Sequence, residues 1–451
     1  MDVSPTVLDK EIERAARALT LGKRALSRSR VDGRGDPLAE HRLVSSRTTF
    51  QELSESGPRA PPEPLRSALR AWVAFFTLER VLWEDSMRIA AAWRAETIEI
   101  ERPEAMRISP RALLLRILGE PVSERRRALA GELARGSGAV ADATRIRAER
   151  RSEAQRRLGN VDADTLELPC DPPAELTAIA SELLNRTDAI ARTTFEEVHV
   201  WSDVVPVWVG HRAVSGWPAH LVSRWLEDLF RGSRLTEGLT LDLGPLPSAL
   251  GATSFGRALA QFGAAYAETD VPRGVPFALT RAPFDLRRAR RGALFGALVA
   301  DPLFGVRSLG LNRSTARDQA REIARGLLLT LRLDAVRVLS RAELLRSARE
   351  RGERLEELTA RALGAPIPGS LSGVLPRIEG GHAARFAGAL LAARDRESLV
   401  ERFDEDWWKS PHAAHALREE QAQVAKTPVT TKVELGAGLD ALDRAFTALL
   451  S

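Results

Sequence analysis

The sequence predicts an all-α protein, a large multi-helix array that contains at most one small β-hairpin. Apolar residues recur with the spacing of amphipathic helices along most of the 451 residues. Stretches in which apolar and polar residues alternate, as they do in strands, are few and weak. With 44% hydrophobic and 28% charged residues, the composition is that of a globular protein with ample material for a core.

The first region, residues 1–64, is predicted to be one helix followed by a linker. In residues 6–28, Leu8 and Leu19 belong to an apolar set that is spaced for a single helix face. From Ser27 to Pro64 the sequence is polar and contains repeated glycines and prolines. These residues favour turns and linkers over regular structure.

Residues 65–160 form the second predicted region, which is helical. Its first long helix, residues 65–95, carries Trp72, Trp83 and Trp93 at intervals close to whole helical turns. Side chains at that spacing share one face of a helix, so we expect the three tryptophans to form a buried seam.

A second helix of this region, residues 122–158, is strongly polar and is expected to break near Gly136 and Gly138. Glu149 and Glu153 stand among arginines about one turn away, a pattern typical of a solvated helix face. The alternative is a stripe that binds phosphate groups or a partner.

The third region, residues 174–451, is predicted to be a C-terminal helical domain. Ser314 or Thr315 is expected to cap its longest helix. Asp334 and Arg337 lie three residues apart in that helix, which predicts an internal ion pair. The predicted helices cover residues 174–192, 195–209, 217–232, 246–268, 285–299, 314–345, 347–363, 382–402, 411–424 and 436–449.

Three stretches show the weak alternation of strands: Thr97–Ile100, Leu239–Leu243 and Thr430–Leu435. The lone cysteine, Cys170, excludes an intrachain disulfide and a four-cysteine zinc site. The longest apolar run, Ala293–Ala300, is far too short to span a membrane, and the first residues do not resemble a signal peptide. We therefore expect a cytoplasmic protein without membrane contact.

The charge balance argues against nucleic acid as the partner. The pI is near 9.9, but 66 basic residues face 61 acidic ones, and the net charge is only +5. Most of the basic residues are arginine, which titrates far above pH 10 and raises the pI out of proportion to the net charge. A protein partner is compatible with this sequence, and the oligomeric state is not indicated by it.

The sequence contains none of the common catalytic or nucleotide-binding motifs. HExxH, HxxEH, GxGxxG, GxxxxGK[ST] and GxSxG are all missing. Simple zinc peptidase, dinucleotide-binding, P-loop and α/β-hydrolase functions are therefore excluded. What remains are local groupings of histidine, acidic residues and arginine.

The first grouping lies in "FDEDWWKSPHAAHALREEQ", residues 403–421. Ser410 and Pro411 predict a helix start, and His412, His415 and Glu419 then lie on one helix face. Imidazoles and a carboxylate on one face are candidate metal ligands, with Asp404, Glu405 and Asp406 just upstream. The alternative is a partly exposed helix start that Trp407 and Trp408 anchor.

The second grouping, Glu196, His199 and Asp203, repeats the same spacing and is a second candidate metal set. Glu-x-x-His is the local pattern of helical di-iron sites, which need two copies and further glutamates. The other Glu-x-x-His in the chain, Glu379 to His382, passes through two glycines and is not expected to be helical.

Four of the nine tryptophans fall between residues 195 and 230: Trp201, Trp208, Trp217 and Trp225. We expect them to form a core where two short helices meet. The alternative is a tryptophan-lined pocket with His199, His211 and His220 nearby.

The densest basic patch contains Arg287, Arg288, Arg290 and Arg291, with Asp285 placed to cap the helix that carries them. These arginines are candidate ligands for an anion, an acidic partner or nucleic acid. The lack of interleaved aromatic residues disfavours base stacking, and a solvated helix end is the alternative.

A large helix-rich chain with scattered histidines and acidic residues is similar in general character to the helical metallopeptidases. Their zinc helix, with its paired histidines and glutamate, is absent, so a chain on that scaffold would be an inactive or re-purposed copy. The leading hypothesis is a cytoplasmic helical scaffold or binding protein without an active site. The rivals are a metal-dependent enzyme that uses one of the two His/Glu/Asp groupings, and an anion or nucleic-acid binder that uses the arginine patch.

Overall fold

The protein is a multi-helix array, which confirms the predicted all-α class. The structure is a computed structural model that describes residues 4–27, 35–55, 60–100, 106–159, 170–171, 174–209, 215–218, 223–237, 239, 252–269, 274–341, 347–377, 380–422 and 430–450. The first helices are α1 (Pro5–Ser27), α2 (Arg47–Ser54), α3 (Leu65–Val81), α4 (Trp83–Ala92), α5 (Pro110–Gly119), α6 (Ser123–Gly136) and α7 (Gly138–Arg157).

The remaining helices begin at Ala174. They are α8 (Ala174–Thr194), α9 (Val205–Val209), α10 (Ser223–Phe230), α11 (Ala252–Tyr266), α12 (Phe277–Thr280), α13 (Leu286–Gly296), α14 (Pro302–Leu309), α15 (Arg313–Ser340), α16 (Ala348–Leu363), α17 (His382–Phe403), α18 (Pro411–Ala422) and α19 (Lys432–Leu450).

The described residues also contain two small two-stranded sheets. Strands β1 (Ile98–Ile100) and β2 (Met106–Ile108) form an antiparallel pair, which confirms the predicted hairpin. Strands β3 (Cys170–Asp171) and β4 (Thr430–Thr431) pair in parallel, which the sequence did not predict. The predicted strand Thr430–Leu435 is therefore mostly wrong, because α19 starts at Lys432; Leu239–Leu243 lies outside the described residues except for Leu239.

The segment predicted to be a linker is partly helical. Within it, α2 buries Phe50 and Leu53, and Leu38 and Val44 are also buried, in a cluster with α1 and α3. Ala278 of α12 belongs to the same cluster, so apolar contacts cross the predicted boundaries of the first and third regions. The division into three regions stays a prediction about folding units.

The tryptophans of α3 and α4 do not form one seam. The predicted long helix is interrupted at Leu82, which separates α3 from α4. Trp72 and Trp83 are buried in the N-terminal cluster. Trp93 packs instead against the large central cluster that α8, α15 and α17 share. Periodicity alone could not show a break between two helices that follow each other directly.

Ion pairs attach helix α7 to the neighbouring helices, so the helix is not solvated on all sides. Its Arg147 and Arg150 pair with the buried carboxylates of Glu79 in α3 and Asp85 in α4. Lys23 of α1 lies 2.9 Å from the same Glu79 side chain. The polar pattern that predicted a solvated face is therefore partly an interface between helices.

Four helices of the C-terminal half stack at very short distances. In α11, a Cβ atom on Gly263 would lie 2.2 Å from the carbonyl oxygen of Arg291 in α13. A Cβ atom on Gly388 of α17 would lie 2.8 Å from Ala289, and one on Gly438 of α19 would lie 2.3 Å from the carbonyl oxygen of Leu390. Glycine is required at these crossings because any side chain would collide with a backbone.

The longest helix, α15, is capped by a residue that the sequence did not single out. The side chain of Asn312 accepts a hydrogen bond from the backbone N–H of Thr315 at 2.9 Å. Ser314 and Thr315 were predicted as caps and instead lie in the first turn. The predicted ion pair is confirmed, because Arg337 donates to Asp334 at 2.5 Å.

Among the described residues, no single helix has both the length and the apolar character needed to cross a membrane. The pair formed by Leu286–Ala300 and Pro302–Leu309 passes that test only when the two are joined, and they meet at a bend of 78°.

Candidate functional site

The His412, His415 and Glu419 grouping lies on an exposed face of α18. The helix starts as predicted, since the Ser410 hydroxyl accepts from the backbone N–H of Ala413 at 3.3 Å. Nε2 of His415 lies 3.3 Å from Oε1 of Glu419, and both side chains are largely in solvent. His412 is exposed one turn earlier. The structure therefore brings two of the three candidate ligands together.

Beneath this exposed face, two tryptophans fix the start of α18. Trp407 and Trp408 are fully buried, as the anchoring alternative predicted. Their rings contact Phe295 and Phe304 at centroid distances of 5.5 and 5.6 Å. The acidic Asp404 and its neighbours stay near the surface. This loop is thus a well-packed connection between α17 and α18.

The Glu196, His199 and Asp203 grouping does not lie on one helix. Helix α8 ends at Thr194, Glu196 and His199 lie in turns, and Asp203 belongs to a short 3-10 helix, Trp201–Val204. The helix predicted over 195–209 is therefore wrong in its first half. Its i, i+3, i+7 face does not form.

The carboxylate of Asp203 is already used by the chain itself. It accepts from the backbone N–H groups of His199 and Val200 at 3.2 and 3.0 Å and pairs with Arg127 at 2.9 Å. Burial opposes ionisation, but these hydrogen bonds prevail and lower the pKa of Asp203. The bonds close the turn and join it to α6, which explains why a turn replaces the predicted helix.

Metal ligation by either grouping stays a prediction. Across the described ranges, no group of three or more His, Cys, Asp and Glu side chains is placed to hold a metal ion. His211 and His220 lie outside the described residues, as does Glu379 of the second Glu-x-x-His pattern.

The four tryptophans between residues 195 and 230 are divided between two hydrophobic clusters. Trp201 and Trp208 pack in the central cluster with α8 and α15. Trp217 and Trp225 pack in an aromatic cluster, where the ring of Trp217 stacks on Phe255 at 4.4 Å. Both pairs contribute to packing, but they do not form the single core that the sequence predicted.

The arginine patch on α13 is mostly engaged by other helices. Arg290 and Arg291 both pair with Asp395 of α17 and Glu420 of α18. Arg287 pairs with Asp285, whose side chain caps α13 as predicted.

Arg288 contacts Glu268, at the end of α11, and is the most exposed of the four side chains at 44%. The patch is therefore not a uniform solvated helix end. Only Arg288 keeps a large exposed fraction that an external anion could reach.

Several buried basic side chains among the described residues lie outside the candidate sites, and Arg332 and His382 are two of them. Arg332 of α15 is fully buried and donates to the backbone carbonyls of Leu184 and Ala362, which joins α8, α15 and α16. His382 is buried at the start of α17, and burial, followed by the charge of Arg385, lowers the pKa of His382 to about 3. The sequence signal for Arg332 was its position inside an apolar helix; His382 was noted only in the Glu379 to His382 pattern, which does not indicate burial.

The comparisons with known proteins point to a fold rather than a family. No family model matches the chain, and no curated protein matches it. Among solved structures, it resembles a protein described as an oligoendopeptidase F from Bacillus anthracis strain Ames, with a TM-score of 0.50. The match covers 90% of this chain and 82% of the other at 10% sequence identity. At that identity, the likeness concerns the fold alone.

Proposed function

We propose that this chain is a cytoplasmic, non-catalytic helical binding protein built on a fold that a peptidase also uses. The observation that carries the proposal is the absence of HExxH from the full sequence. On a zinc peptidase helix, that motif supplies two histidine ligands and the glutamate base. A chain that has this fold without those groups keeps a surface on which a partner can bind, but it lacks the zinc chemistry.

The placement of the candidate ligands supports the same proposal. His415 and Glu419 are two candidate ligands on an exposed helix face, whereas a catalytic zinc site needs three protein ligands and a fourth position for water or substrate. The carboxylate of Asp203 already closes a turn. The name of the structural neighbour refers to cleavage within oligopeptides, so the partner that we propose for this chain is a peptide or a protein segment.

Elemental analysis of the purified protein tests the proposal against the metal-enzyme alternative. We expect zinc, iron and manganese far below one equivalent, and no difference between the wild type and the His199→Ala and His412→Ala variants. Near-stoichiometric metal that is lost in one of these variants would establish a metal site. The exposed Arg349→Ala change is a matched control that touches neither grouping.

A further inference from the structure

Two arginines on either side of the turn between α12 and α13 share one carboxylate partner. Arg281 directly follows α12, and Arg288 lies near the start of α13. The Nη1 atoms of both side chains contact the same carboxylate oxygen, Oε1 of Glu268. One negative charge therefore faces two guanidinium groups.

The two guanidinium groups are engaged only in part. A guanidinium has five N–H donors, and the side-chain contacts of Arg281 and Arg288 with Glu268 use one nitrogen of each. The Arg281 side chain is 28% exposed and the Glu268 side chain 25% exposed. The group is thus accessible at the surface and is not sealed in the core.

Helix α1 places charges of both signs near this pair. Burial, and then the nearby charge of Arg24, lowers the pKa of Arg288. Burial also lowers the pKa of Arg281; the charges of Asp285 and of Glu13 in α1 act against it, and the charge of Arg17 acts with it.

The next turn of the same helix provides an internal contrast. Arg290 and Arg291 face two carboxylates, Asp395 and Glu420, so the charges balance. Burial opposes the charge of Arg290, but its hydrogen bonds to Asp395 prevail and raise its pKa. The unbalanced pair at Arg281 and Arg288 is therefore particular to the start of α13.

We propose that Arg281 and Arg288 form a binding site for a phosphate-type oxyanion, as inorganic phosphate or as the phosphate group of a small ester. Arginine pairs strongly with phosphate through parallel N–H···O bonds. A tetrahedral oxyanion offers a separate oxygen to each guanidinium, whereas Glu268 offers both the same one. The bound anion competes with the Glu268 carboxylate. This site adds a ligand to the binding protein proposed above and does not require the chain to be catalytically inactive.

Isothermal titration calorimetry of the full chain tests the site, with inorganic phosphate, phenyl phosphate and acetate as separate titrants at constant ionic strength. We expect binding of inorganic phosphate, and acetate should be weaker because it has two oxygens and a single charge. Binding of phenyl phosphate alone would assign the site to esters, and binding of both phosphates would assign it to the phosphate group itself.

Three variants make the test specific. Arg288→Gln should weaken phosphate binding about tenfold or more, the loss expected for a hydrogen bond to a charged group. Glu268→Gln should tighten binding, because it removes the internal competitor. Arg349→Gln, on an exposed side chain of α16, should leave binding unchanged.

Several results would overturn the proposal. They are no binding of either inorganic phosphate or phenyl phosphate by the wild type, acetate bound as tightly as the phosphates, or a phosphate affinity that Arg288→Gln and Glu268→Gln leave unchanged. Thermal unfolding of each variant without ligand separates loss of folding from loss of the site. These readouts are independent of metal content, so the metal-enzyme test and this test can fail separately.

Discussion

At the scale of single residues, the fold depends on buried charges that find partners far away in the chain. Arg332 is fully buried, yet it pairs with Asp188 at 2.8 Å and donates to carbonyls on two other helices. Burial opposes ionisation of Asp188, but Arg361 and Arg332 prevail and lower its pKa. Burial lowers the pKa of Arg332 in spite of these bonds, so the bonds offset the cost of burying the charge, and removing any of its partners would leave that cost uncompensated.

His382 should make stability depend on pH in the weakly acidic range. Its pKa in the folded protein is about 3, against an ordinary value of 6.5, so between these values the unfolded chain binds one proton more. Stability from this residue is complete above pH 6.5 and falls by about 1.4 kcal/mol per pH unit as the pH drops. Urea unfolding of the wild type and His382→Gln from pH 7 to 4 measures the difference in slope.

The matched control for this prediction is His415→Gln, because the His415 side chain is 72% exposed. It should leave the pH slope of the wild type unchanged. Equal slopes for the wild type and His382→Gln would show that protonating this imidazole in the folded protein carries no such free-energy cost.

The sequence indicated the residues of the arginine patch but not their partners. Asp285 was predicted as the cap of α13 from its position, and the structure confirms it. Glu268, Asp395 and Glu420 could not be predicted as partners, because they come from three other segments. Distinguishing Arg288 from Arg290 required knowledge of the tertiary structure.

At the scale of helices, close crossings through glycine order the C-terminal half. Gly263, Gly388 and Gly438 each place one helix directly against the backbone of the next. Sequence periodicity predicted these helices and placed their ends mostly within a few residues, because helix formation and helix ends depend on local sequence. It could not give the crossings, since which glycine faces which backbone depends on the tertiary arrangement.

Two glycines of α19 allow a matched test of this packing. A Cβ atom on Gly438 would lie 2.3 Å from the carbonyl oxygen of Leu390, whereas one on Gly436 would meet nothing within 4 Å. Gly438→Ala should destabilise the fold by about 1–3 kcal/mol, the range for overpacking. Gly436→Ala should be neutral, or stabilising by up to about 1 kcal/mol, because alanine favours the helix.

Chemical unfolding of both variants measures the difference. If the two substitutions change the free energy of unfolding equally, α19 does not pack on α17 as closely as described. A larger destabilisation by Gly436→Ala would contradict the orientation of α19 altogether.

At the scale of the whole molecule, the sequence predicted the fold class but not how the helices and strands pack together. Helical periodicity predicted the all-α array, and the weak alternation at Thr97–Ile100 predicted the hairpin. The parallel pairing of Cys170 with Thr430 joins segments that are distant in the chain, and only the second of them showed a weak strand pattern, so the pairing could not be predicted. The turn at Asp203 was missed because side-chain capping overrode the helical spacing.

The central claim is that this helical array binds a peptide or protein segment without cleaving it. The most direct measurement is to incubate the protein with a mixture of short peptides, with and without added zinc, and to follow products by mass spectrometry. We predict no cleavage products in either condition. Zinc-dependent cleavage that His199→Ala or His412→Ala abolishes would contradict the account.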